Sequence, residues 1–291
     1  MSFSGFRVRH PGISKVIDSL WIVPFFLFCL IFEIIPILVL VRDSFVSSTG
    51  TVTFSNYLGL KEPVYMLSFW NSIRLSAITA FLGTVFGTFI GYSILKTRKR
   101  WLKELFTALA NVTTNFAGAP LAFAFIIILG ANGVVTLIFA QVLNIQLYPQ
   151  FQIYSYAGLV IAYTYFQLPL MILLIIPSFA GLQKEWREAA VNMGATTFVY
   201  WRYIGLPILA PSLIAGFVLL FANAYGAYAT AYTLVASKLM LVTTQIAFVI
   251  RGEVIHDPGL ARAMATVSLV IMGICIAIYK VAISYAPGAE K

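Results

Sequence analysis

Apolar residues fall in long blocks along this chain, separated by short polar segments. Six blocks stand out, at about Trp21–Val41, Phe69–Leu95, Ala119–Val142, Ile153–Pro177, Ile208–Ala236 and Ala263–Ser284. A helix rises about 1.5 Å per residue, so each block can cross a hydrocarbon layer of roughly 30 Å, some with tilt. The pattern predicts an all-α integral membrane protein of six transmembrane helices, with residues 1–291 forming a single transmembrane domain. The first block follows Arg7, Arg9 and Lys15, as in a signal peptide. It is too long for one and lacks a clear small-residue cleavage site, so it reads as a retained first span. In the second block Gly83, Gly87 and Gly91 recur every fourth residue on one helix face, which lets another helix approach closely. Pro169 and Pro177 are expected to bend the fourth span, whose freed backbone groups then need neighbours inside a bundle. No internal repeat is visible.

Composition agrees with the pattern. Of 291 residues, 60% are apolar and 10% charged, against roughly 25% charged in a soluble domain. The net charge of +9 does not point to nucleic acid, because Lys and Arg sit between the blocks and no domain is left over to bind it. With the N-terminus inside, the inner segments carry Arg7, Arg9, Lys15, Lys96, Arg98, Lys99, Arg100, Lys103, Lys184, Arg187, Arg202, Lys280 and Lys291. The outer segments carry Arg42, Lys61, Lys238, Arg251 and Arg262, while Arg74 stays inside the second span. Thirteen against five favours both termini in the cytoplasm. Cys29 and Cys275 lie in apolar blocks and make no disulfide framework. His10 and His256 have no metal-ligand spacing around them, and no metal site is expected.

Between the fourth and fifth blocks lies the segment GLQKEWREAAVNMGATTFVYWRYIGLP, Gly181–Pro207. Gln183–Met193 has Leu182, Trp186, Ala189 or Ala190, and Met193 at helical spacing. Gly194 then breaks the helix, Thr196 or Thr197 can cap a second one to about Ile204, and Pro207 opens the fifth span. The result is a cytoplasmic helical hairpin, too short to cross. It exposes Trp186 and Met193 unless a partner covers them.

Glu188-Ala189-Ala190, three residues, Gly194, nine residues and Ile204-x-Leu206-Pro207 resemble the EAA loop of ABC importer permeases, the binding-protein-dependent type I family. Phe54-Ser55-Asn56-Tyr57 and Asn71-Ser72-Ile73-Arg74-Leu75 extend the resemblance along the chain. It implies the type I permease fold, two ABC ATPase subunits, a second and different permease chain, and an external substrate-binding protein. It also implies that Glu188, Ala189, Ala190 and Gly194 form the turn that docks on an ATPase, and that Ile204, Leu206 and Pro207 fix the link to the fifth span. No Gly-Lys dipeptide occurs, so a phosphate-binding loop is not expected, and ATP and Mg²⁺ are expected on the partner ATPases. Leu129-Gly130-Ala131-Asn132-Gly133 is similar to an element of the polyamine (spermidine/putrescine) permease group. Aminophosphonate, thiamine and ferric-iron importers share much of the pattern.

Transport-path candidates come from the spans. Tyr225, Tyr228 and Tyr232 fall at i, i+3 and i+7, with Asn223 and Thr230 on a neighbouring stripe and Tyr163, Tyr165 and Gln167 in the fourth span. These read as cavity lining, with interface anchoring as the alternative, which suits Tyr232 better than the deeper Tyr225. Aromatic faces can stabilise an ammonium group. Glu33 stands alone in the first span. An ionised carboxylate at mid-membrane costs about 2.5–3.5 kcal/mol or more, so it has to be paired, protonated or near an interface. Functional and structural roles both stay open for it. Two other classes are weighed. An ion-gradient transporter needs midplane ionisable groups and inverted repeats, and the chain offers one acid and no repeat. A membrane enzyme needs a catalytic cluster, and His256-Asp257 before Pro258 reads more plainly as a turn.

Overall fold

The computed structural model describes residues 22–47, 50–97, 99–253 and 257–285. Arg7, Arg9, His10, Lys15, Arg98, His256 and Lys291 lie outside the described residues. The helices in chain order are α1 (Val23–Ser44), α2 (Ser55–Gly59), α3 (Pro63–Lys96), α4 (Arg100–Asn115), α5 (Ala119–Leu129) and α6 (Val134–Val142). They continue as α7 (Tyr156–Ala180), α8 (Lys184–Asn192), α9 (Thr197–Gly226), α10 (Tyr228–Val235), α11 (Val242–Arg251) and α12 (Pro258–Ser284). Six stretches are long and apolar enough to cross a membrane: α1, α3, Ala119–Val142, α7, α9 and α12. No β-sheet is present among the described residues.

Helix α7 sits at the centre, between α3 and α9, with Pro169 buried inside it. In lipid there is no hydrophobic drive to bring helices together, so close packing of small residues has to do it. The glycines of α3 supply this. A Cβ built on Gly83 would stand 3.1 Å from Gln167 Cβ, on Gly87 2.6 Å from Met171 Cβ, and on Gly91 2.8 Å from Ile175 Cγ2. Both series climb by four residues together, so α3 and α7 run in the same direction, as second and fourth spans must. Met171 is also clasped from α9, where a Cβ on Gly216 would lie 2.7 Å from its Sδ.

Polar side chains tie the ends. Asn56 Nδ2 donates to the carbonyls of Ser44 (2.8 Å) and Val46 (3.1 Å), and the Tyr57 and Ser44 hydroxyls are 2.6 Å apart. This Asn-Tyr pair therefore fastens α2 to the end of α1. Asn71 Nδ2 donates to Met240 O at 3.1 Å, and Ser72 Oγ accepts from Val242 N at 2.9 Å, so the start of α3 caps α11. Asp257 caps α12 through Leu260 N at 3.0 Å.

The bounds of the third span, Ala119–Val142, hold, but it is broken, because Gly130–Gly133 separates α5 from α6. Eleven residues reach only about 16 Å, so α5 does not cross alone. Before it lies α4, unforeseen in an inner segment, packed along α7. The fifth span starts earlier than Ile208 and ends at Gly226, short of Ala236, with α10 as a separate helix beyond Ala227. The outer segment after Ser237 holds a helix of its own, α11.

Candidate functional site

The hairpin forms with Gly194 at its turn. Gly194 has φ +83°, a backbone region closed to most side chains, and nothing in this chain lies within 4 Å of where a Cβ would be. Its N–H donates to Val191 O at 2.9 Å and closes α8. Thr196 starts the second arm, accepting from Val199 N at 3.3 Å. Ala190 is buried, Ala189 and Glu188 are exposed, Trp186 is half-buried and Met193 is 80% exposed. Glu188 Oε1 lies 2.8 Å from Lys184 Nζ, and that carboxylate raises the Lys184 ammonium above its usual pKa. Both groups are solvated, so this pair adds little stability and leaves Glu188 open to a partner.

The second arm does not stop before the fifth span. It runs on as α9, through a widened turn at Trp201–Gly205 in which Leu206 N donates to Trp201 O. Pro207 has no N–H for the carbonyl of Tyr203, and a widened turn is one way a helix absorbs that loss. Ile204 is half-buried, while Leu206 and Pro207 are exposed. Ile204, Leu206 and Pro207, expected at the link to the fifth span, thus lie at a widened turn within one helix. Trp201 packs edge-on against Tyr92 of α3 at 5.2 Å.

The second site is a cavity of about 520 Å³ where two helices are interrupted. Gly118 (φ +75°) lies between α4 and α5, and Ala227 between α9 and α10. The interruptions meet: Thr230 Oγ1 donates to Gly118 O at 3.3 Å, and Tyr163 Oη to Ala227 O at 2.6 Å. Side chains thus take up backbone carbonyls freed by the breaks, as a membrane interior requires. Phe166, Asn223, Gly226, Tyr228 and Thr230 line the space, with no Asp, Glu, Lys, Arg or His among the described lining residues. The Tyr228 hydroxyl is buried without a hydrogen-bond partner. The Tyr232 ring packs tilted against that of Tyr228, centroids 5.4 Å apart, and Arg251 of α11 lies over the Tyr232 ring at 5.5 Å.

No protein-family model matches the chain. Among curated proteins, the spermidine/putrescine transport system permease protein PotB of Haemophilus influenzae is 25% identical over 79% of this chain and 82% of its own length. The sulfate transport system permease protein CysT of Salmonella typhimurium is 31% identical over 43% of this chain and 46% of its own. The crystal structure of a bacterial ABC transporter that imports the acidic polysaccharide alginate superimposes with TM-score 0.68 at 15% identity, covering 96% of this chain and 99% of that one. These relatives are permease subunits of transport systems, and similarity to PotB runs along most of this chain. The chain shares the fold of ABC importer transmembrane subunits.

In this chain the predicted path residues do not form one stripe. The break at Ala227 puts Tyr225 on α9 and Tyr228 and Tyr232 on α10. Asn223 and Tyr228 line the large cavity. Tyr225 is buried on another side, its hydroxyl 3.3 Å from Ser268 Oγ of α12. Gln167 is fully buried against α3, donating to Thr79 Oγ1 at 2.7 Å, and is absent from the cavity lining. Gly118 was missed, although Gly118-Ala119-Pro120 is a turn signal that was available in the sequence.

Proposed function

We propose that this chain is the membrane-spanning permease subunit of a bacterial ATP-driven importer, seated in the cytoplasmic membrane with both termini inside. It works with two ABC ATPase subunits, which bind ATP and Mg²⁺, a second permease chain, and an external binding protein that delivers the solute. The observation that carries this is the solvated turn at Glu188–Gly194, built on an αL glycine and continuous through α9 with the interrupted helices around the cavity. A force applied at α8 meets the fifth span directly, because the second arm of the hairpin and that span are one helix. Binding at the turn can then bias the cavity between two states, which is the form a coupling between distant sites has to take.

The solute is small and polar. The name of PotB makes a polyamine the first candidate. A cavity lined by Phe166, Asn223, Tyr228 and Thr230, with no fixed charge among its described lining residues, suits weak binding in passage. Relatives named for sulfate, trehalose and molybdenum transport show that cargo varies at this level of similarity. The test of coupling uses the whole complex, reconstituted in liposomes. Glu188→Lys reverses a charge on the docking helix, and Gly194→Asp puts a side chain on the αL turn. Both variants should insert normally yet lose most ATP-driven uptake, together with ATPase retention or stimulation by loaded binding protein. Full uptake and normal stimulation in both would overturn the proposal.

A further inference from the structure

Glu33 has no role in the coupling turn or the cavity, yet its setting is specific. It stands half-way along the 22-residue α1, inside a widened turn, Leu30–Ile34, where Ile35 N donates to Leu30 O. No residue from Val23 to Ile34 is buried, and Phe25, Phe26, Phe28 and Phe32 are all exposed. The other half of α1, Ile35–Ser44, packs on α12. There Ile37 and Leu40 share a small cavity with Ser268, Leu269 and Met272. By helix spacing, Glu33 continues the Ile37–Leu40 stripe one turn along, and Gly273 continues the facing stripe of α12. Neither stripe is closed at that level: Glu33 and Gly273 are exposed, and a Cβ on Gly273 would meet nothing within 4 Å. The two helices therefore leave an open wedge with a carboxylate on one wall.

We infer that this wedge receives a transmembrane helix of the second permease chain, and that the helix donates a side-chain hydrogen bond to the Glu33 carboxyl. This rests on the importer-permease reading. Lipid tails offer no donor, and a glutamate side chain is too short to reach the headgroups from the middle of a layer roughly 30 Å thick. A neighbouring helix with a polar side chain at the same depth supplies what the carboxyl lacks, and the missing Cβ at Gly273 lets that helix come close. Glu33 thus acts as a positioning residue that selects and registers the partner permease.

The tagged full chain is expressed in its own host with the rest of the transporter, and the complex is purified in mild detergent as wild type, Glu33→Gln and Glu33→Leu. The second permease retained per tagged chain is measured by mass spectrometry, alongside ATP-driven uptake. Leu makes the span more apolar, so membrane insertion should not fall. Retention and uptake should drop about ten-fold in Glu33→Leu, the size of a lost interhelical hydrogen bond of about 1.4 kcal/mol, and stay within two-fold of wild type in Glu33→Gln. Equal retention in wild type and Glu33→Leu would mean that Glu33 faces lipid and would overturn the inference. A wild-type preparation without a second permease would instead defeat the importer reading on which it rests.

Discussion

Gly87 leaves no room for a side chain: its Cβ would already sit 2.6 Å from Met171 Cβ and 2.9 Å from Met171 Cγ. Met171 cannot retreat, because Gly216 of α9 holds its other side. Gly87→Ala should therefore push α3 and α7 apart, at about 1–3 kcal/mol for overpacking. Gly226→Ala adds the same methyl where the nearest side-chain atom, Met272 Cε, stands at an ordinary 3.8 Å. The thermal transition of the purified protein should fall for the first variant and not for the second. Met171→Ala in the Gly87→Ala background should not restore it, because Met171 Cβ, the nearest atom, stays in place. Equal transitions for Gly87→Ala and wild type would mean that the α3–α7 seam is looser than described. At this scale the sequence was most legible. The four-residue glycine spacing points to close helix contact because small residues on one face let backbones approach, and Gly194 is legible because a turn between two helical arms favours glycine.

Whole elements were harder to foresee. A hydropathy block records that a segment is apolar, and it runs on unchanged through a break that buried neighbours repair. The Ile208–Ala236 block conceals the interruption at Ala227 because Tyr163 satisfies the freed carbonyl from another helix. The same holds for α4, whose polar face hides it from a search for apolar runs. The cost of this blindness is a false pairing of Tyr225 with Tyr228. Since they stand on different helices, their substitutions should separate. Tyr228→Ala should lower uptake several-fold and leave the thermal transition near wild type, because it trims the cavity wall. Tyr225→Ala removes a buried ring and its contact with Ser268, and should cost about 3–5 kcal/mol of stability by analogy with other buried aromatics. Uptake per folded complex in liposomes, read beside the melting curve, checks both. Parallel losses of uptake and stability in the two variants would return them to a single stripe.

For the molecule as a whole, relative orientation is fixed by packing and absolute orientation by charge. Helices α3 and α7 run the same way, as the rising Gly83–Gln167, Gly87–Met171 and Gly91–Ile175 contacts require. A flip of the protein would keep all of these contacts, so the fold does not say which end faces the cytoplasm. The orientation we propose rests on the basic residues. Lys96, Lys99, Arg100 and the hairpin residues Lys184, Arg187 and Arg202 all stand at one end of the bundle, where translocating them would be resisted. A coupling turn is also useful only on the side where ATP is found. Reporter fusions after Lys99 and after Trp186 should therefore give the cytoplasmic signal, and fusions near Thr51 and near Gly252 the external one. The fusion after Trp186 is the decisive member of the set. An external signal there would place the Glu188–Gly194 turn away from any ATPase. It would require the whole bundle to be inverted, and would remove the coupling role while leaving the six-span architecture untouched.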